Sequence, residues 1–161
     1  MKTIPSDVVQ QNHLEVSKFE KNNAETEMGI MVTEQDELIA FVHVVGNKIQ
    51  KEAGELLMYL AFAVHRMFRS SFGGKLPKID TDSIVSRYEE NSKLFKEKAA
   101  DATIMEQIAE DKAHCQPQVQ QFVVSVLSDQ GTEAVKLDDT DRKEIFLALK
   151  SIIETIDKTV L

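Results

Sequence analysis

The side chains of this 161-residue chain that could hold a metal or move a proton are four histidines, one cysteine and a large set of carboxylates. Their densest grouping is Glu110, Asp111, His114 and Cys115. Residues three apart share a helix face, so Asp111 and His114 could both reach one ion. A di-iron carboxylate centre would need two Glu-x-x-His pairs and two further glutamates, and no second pair of that kind is present. The set therefore also suits a helix end, where a histidine gains from the negative pole. Cys115 has no second cysteine to pair with and precedes Gln116-Pro117, which suits a half-buried structural thiol in a reducing compartment. His43 and His65 fall on one side of an ideal helix, but at 1.5 Å per residue they lie about 33 Å apart, too far to share an ion.

A second acidic feature is Glu52 and Glu55. The phrase Lys51-Glu52-Ala53-Gly54-Glu55-Leu56 resembles the Glu-rich helices that hold magnesium in the all-α nucleotide pyrophosphatases. That resemblance implies a magnesium-dependent, phosphohydrolase-like helical enzyme using these acids. It also requires carboxylates from a second helix, and the later Glu154-x-x-Asp157 sits far downstream. Lys48 and Lys51 each stand four residues before one of the glutamates, so a solvated ion-pair strip explains the same residues. Glu52, Glu55, Glu110, Asp111 and His114 are the metal-ligand candidates; no cofactor and no catalytic residue is expected. The sequence has no glycine-rich phosphate loop, no Gly-x-Ser-x-Gly elbow and no His-Glu-x-x-His.

The elements that must carry these residues read as helices. From Thr33 to Arg69 apolar residues recur at heptad positions, with Ile39, Ala53, Leu60 and Met67 on one seam and Val42, Ile49, Leu56 and Ala63 beside it. A long central helix over about 33–69 is predicted, with apolar ends, a polar waist at Lys48, Lys51, Glu52 and Glu55, and a glycine cap at Gly73-Gly74. A further helix is expected after Pro77, capped by Asp80, Thr81 or Asp82, and running to about Ala113. Another follows Pro117, and a last regular amphipath follows Asp138 with Ile145, Phe146, Leu149, Ile152, Ile153, Ile156 and Val160 on its stripe. The 6–22 pattern is thinner, so residues 1–27 are expected as a loosely packed N-terminal segment of a single domain, 1–161. No internal repeat and no strand-like alternation is evident. The predicted fold is an all-α bundle of four or five helices around the central one.

Hydrophobic residues make up 42% and charged residues 29%, within the globular range. A formal charge of −8 without a basic block argues against nucleic acid or an anionic membrane as main partner. The apolar run 56–64 is too short for the roughly 20 residues that a bilayer-crossing helix needs. The first residues lack the apolar core of a secretory signal, so a cytoplasmic location is expected. Apolar residues on more than one face of 38–45 and 56–64 call for neighbours all round. With small residues nearby, this predicts a homodimer whose interface includes Gly46, Ala53, Gly54, Leu60 and Ala61. The expected role is a helical protein-interaction or self-association module without catalysis.

Overall fold

The computed structural model describes residues 2–18, 21–96, 115–128 and 137–160. Among these the chain is all helical: α1 (Ser6–Ser17), α2 (Lys21–Glu34), α3 (Asp36–Gly46), α4 (Lys51–Ser71), α5 (Thr81–Lys96), α6 (Pro117–Ser128) and α7 (Asp139–Val160). The bundle is assembled around α4 and α7, which pack on each other and carry most of the buried side chains. Local signals set several boundaries. Asp80 caps α5 by accepting from the Ser83 amide at 2.8 Å, and Asp138 caps α7 by accepting from the Asp141 amide at 2.7 Å. Pro117 opens α6 at the position where its missing N–H costs nothing. Past the end of α4, Gly73 and Gly74 take φ of +95° and +87°, which side chains disfavour, and the Gly74 amide reaches back to the Arg69 carbonyl.

The expected continuous helix over 33–69 is instead two helices, preceded by the end of α2. Residues 47–50 form a turn, and α3 and α4 fold back on each other. The polar waist is the tip of that hairpin: Lys48, Lys51, Glu52 and Glu55 are all exposed there. Gly46 and Gly54 make the crossing possible. A Cβ on Gly54 would lie 3.2 Å from the Gly46 carbonyl oxygen and 3.5 Å from its Cα, so the two backbones touch. Gly54→Leu should force the hairpin apart and lower unfolding free energy by about 2 kcal/mol, the scale of an overpacked core site. Urea denaturation of the two proteins checks this.

The helices repeat one plan twice. Residues 2–18 correspond to 77–93, 35–46 to 116–127, and 51–71 to 139–159. Under this match α1 pairs with α5, α3 with α6 and α4 with α7, and the helix contacts follow. The packing of α1 on α4 is matched by α5 on α7, α3 on α4 by α6 on α7, and α1 on α6 by α5 on α3. Every buried residue of α4 falls on a buried residue of α7. Where the halves meet, Phe41 stands edge-on to Tyr88, and its counterpart Phe122 contacts His13, the counterpart of Tyr88. Among the described residues, six of the seven helices thus form two sets of three with matching contacts within one polypeptide.

Each half clamps the leading segment of the other with one buried glutamine. Gln35 donates from Nε2 to the Pro77 carbonyl at 3.0 Å and accepts from the Ile79 amide at 2.9 Å. Its counterpart Gln116 donates to the Lys2 carbonyl at 3.0 Å and accepts from the Ile4 amide at 2.7 Å. A side-chain amide thus stands in for a strand partner, satisfying backbone groups that burial would leave bare. The N-terminal segment is therefore built in, with Ile4, Val9 and Val16 in the core.

Candidate functional site

Glu52 and Glu55 are exposed on the first turns of α4, and neither makes an ion pair among the described residues. Lys48, expected beside Glu52, lies over the Tyr88 ring at 5.7 Å from its centroid instead, because it belongs to the turn and not to a helix continuing into Glu52. Glu110, Asp111 and His114 lie outside the described residues. Among those described, no three His, Cys, Asp or Glu side chains come together as a metal site. The five expected interface residues all have partners within the chain. Ala53, Leu60 and Ala61 are fully covered by its own core, and Gly46 and Gly54 cover each other.

Two other features were not singled out from sequence. The first is a polar network between α5 and α7. Lys150, 2% exposed, pairs with Glu154 at 2.7 Å and donates to Asn91 Oδ1 at 3.3 Å. Asn91 Nδ2 donates to Ser151 Oγ at 3.1 Å and to Glu154 Oε1 at 2.8 Å. Deeper in, Gln116 Nε2 donates to Asp157 Oδ1 at 2.6 Å. The neighbouring Cys115 thiol is pushed up to about 12 by burial and by the charges of Asp157 and Glu154. That is the opposite of what a nucleophilic thiolate needs. In α4 the positions matching Lys150 and Ser151 hold Phe62 and Ala63, so the fold accepts an apolar core there.

The network pins α5 to α7 in the way that Asn12 pins α1 to α4. Asn12 Oδ1 accepts from Arg66 at 2.7 Å and from Ser70 at 3.1 Å, while Arg66 pairs with Glu15 at 2.7 Å. Each half therefore orients its first helix with a buried asparagine bonded to a basic residue on its long helix. Lys150→Met should lower stability by about 2 kcal/mol, below the full cost of a stranded buried charge because Glu154 keeps Arg87 at 4.0 Å. Adding Glu154→Leu should recover most of the loss, and a double-mutant cycle in urea measures the difference.

The second feature is a groove of about 470 Å³ between α3 and α5. Phe41, Val44, Val45, Val85 and Tyr88 supply its apolar surface, with Lys48 and Lys93 at the sides and Glu89 and Ser92 completing it. Val44 is 58% exposed, the highest value among the exposed large apolar side chains of the described residues. The Tyr88 hydroxyl donates to Glu144, and burial followed by that carboxylate raises its pKa, so the phenol stays protonated. The ring is thereby held as a fixed wall. A depression of about 460 Å³ between α5 and α7 is polar and mixed in charge, and its Arg87 is already bonded to Glu90 at 3.3 Å.

No known family, curated protein or solved structure matches the chain. No helix of the described residues is long and apolar enough to cross a membrane. The groove between α3 and α5 can bind an apolar surface. Sequence reading did not find it because Val44 and Tyr88 each sit on a stripe that looks like ordinary core, and only the fold brings the two stripes to one opening.

Proposed function

We propose that the protein is a non-catalytic helical interaction module, acting in the cytoplasm, whose contact surface is the groove between α3 and α5. The observation that carries this reading is the exposed Val44 above an apolar floor, at a place where the other half of the same fold is polar at three matching positions. The matching surface of α6 and α1 has Ser125 where α3 has Val44, and Gln10 and His13 where α5 has Val85 and Tyr88; Leu14 in place of Glu89 is the one exchange in the other direction. The fold thus accepts polar residues at these positions, and Val44, exposed over the packed Phe41, Val85 and Tyr88, supports a contact site here.

The apolar faces of 38–45 and 56–64 that led to the expectation of a homodimer are largely covered by the second half of the chain, since α3 packs on α5 and α7, and α4 packs on α7. Among the described residues the groove, with Val44 the most exposed large apolar side chain, is the surface proposed for any self-association, and light scattering after size exclusion reads it directly.

The test is a screen of amphipathic helical peptides against the purified chain, with binding located by amide chemical shifts. Val44→Glu should leave the circular dichroism spectrum and melting temperature unchanged, because the side chain is exposed, and should weaken any peptide hit at least tenfold, the cost of a charge facing an apolar anchor. Hits that shift amides elsewhere, or ignore the substitution, would remove the reading. Magnesium-dependent hydrolysis of a nucleotide, lost in Glu52→Gln or Glu55→Gln, would replace it with the enzymatic one.

A further inference from the structure

We infer that the occupant of this groove is a single short amphipathic helix of a partner protein, about two turns long, carrying acidic residues on both sides of its apolar stripe. The inference rests on the interaction reading above and names the partner chemistry.

Shape sets the first part. The groove runs along α5 from Val85 to Lys93, a length of about 12 Å at 1.5 Å per residue. That accommodates anchors at i, i+3 or i+4, and i+7 of a docked helix. The walls are themselves two helices, which leave a channel of the shape a third helix fills. Small-molecule sites bury most of their ligand, whereas here Val44 at 58% exposure stands open to solvent.

Charge sets the second part. Lys48 and Lys93 come from different walls, the first from the turn after α3 and the second from α5. Among the described residues neither makes an ion pair, although the chain as a whole carries −8 and acids outnumber bases. Glu89 is one turn before Lys93 on the same helix and, among the described residues, is the one acid lining the groove, so the lining carries a net positive charge. Lys93, and Lys48 held over the Tyr88 ring without a carboxylate partner among the described residues, put positive charge beside an apolar floor on an acidic protein, which favours a partner with acids flanking its anchors and repels a basic one. The apolar floor supplies affinity and the two lysines supply the choice of partner.

The experiment uses three designed fourteen-residue helical peptides with the same leucine stripe, flanked by glutamates, by lysines or by glutamines, titrated against the full chain by fluorescence anisotropy. The acidic peptide should bind at least tenfold tighter than the basic one and weaken as salt rises from 50 to 500 mM. The double variant Lys48→Glu/Lys93→Glu should reverse the order of the acidic and basic peptides while the glutamine peptide changes less than threefold. Equal affinity for all three, or a preference for the basic peptide, overturns the acidic partner while leaving the groove reading intact. No binding by any of the three, with the chain folded, overturns both. A dimer that Val44→Glu converts to monomer would make a second copy the occupant, and tight binding of decanoate displaced by no peptide would make it an amphiphile; either result overturns the partner helix.

Discussion

Gln116→Ala is expected to be the most damaging single substitution outside the apolar core, lowering unfolding free energy by about 3 kcal/mol. Three bonds end on this side chain: from the Ile4 amide, to the Lys2 carbonyl and to the Asp157 carboxylate. The Lys2 carbonyl belongs to an exposed residue and can turn to water. The other two partners cannot, since Ile4 is 0% exposed and Asp157 is 4% exposed. Each stranded buried group costs about 1–3 kcal/mol, with the charged one toward the top. Gln116 also holds φ of +52°, a conformation that non-glycine residues pay for, and alanine inherits that cost without the bonds. For a chain of this length 3 kcal/mol corresponds to roughly 6–12 °C in melting temperature. Hydrogen exchange adds a local readout, because the Ile4 amide should lose protection by more than the global change. A variant within 1 kcal/mol of the parent, with the Ile4 amide still protected, would mean the clamp contributes nothing.

The same clamp explains why parts of the fold were legible from sequence and others were not. Helix class, the caps at Asp80 and Asp138, the Pro117 start and the glycine stop after α4 all follow from local chemistry, and they stand where that chemistry places them. The breaks inside 33–69 are set by distant partners. Gln35 leaves the helix because Pro77 and Ile79 take its side chain, and the 47–50 turn closes because Gly46 meets Gly54. An apolar seam that continues in register through such a turn is indistinguishable from one helix. The repeated helix arrangement is hidden from sequence for a related reason. Ile4 and Ile79, Gln35 and Gln116, and Phe41 and Phe122 are conserved between halves, but connectors of unequal length destroy any fixed period. Between α4 and α7 burial is retained while the residues are not, with Phe62 facing the position of Lys150. Spacing along one helix is what suggests the metal-ligand candidates, and of these Glu52 and Glu55 sit at an exposed hairpin tip.

His65 should make the protein lose stability on mild acidification. It is 1% exposed on α4, and its Nε2 has no hydrogen-bond partner among the described residues. Burial, with a smaller contribution from the positive charge of Arg69, lowers its pKa from 6.5 to about 4. A histidine whose folded pKa is lowered binds its proton more readily when unfolded, so its effect is absent at neutral pH and grows as pH falls below 6.5. It reaches its limit once pH passes the folded value of about 4. The lowered pKa corresponds to roughly 3 kcal/mol at that limit, and to about 2 kcal/mol between pH 7 and pH 4.5. The matching position in α7 is Ile153, also buried, so the fold tolerates an apolar side chain there. His65→Leu should therefore be more stable at pH 7 by about 1 kcal/mol, since an unpaired buried nitrogen is removed. It should also lose about 2 kcal/mol less than the parent between pH 7 and 4.5. Urea melts at half-unit intervals of pH give both curves. Parallel curves would show that His65 is charged or solvated in the folded chain, and a variant less stable than the parent at pH 7 would show that its ring makes a contact leucine cannot replace.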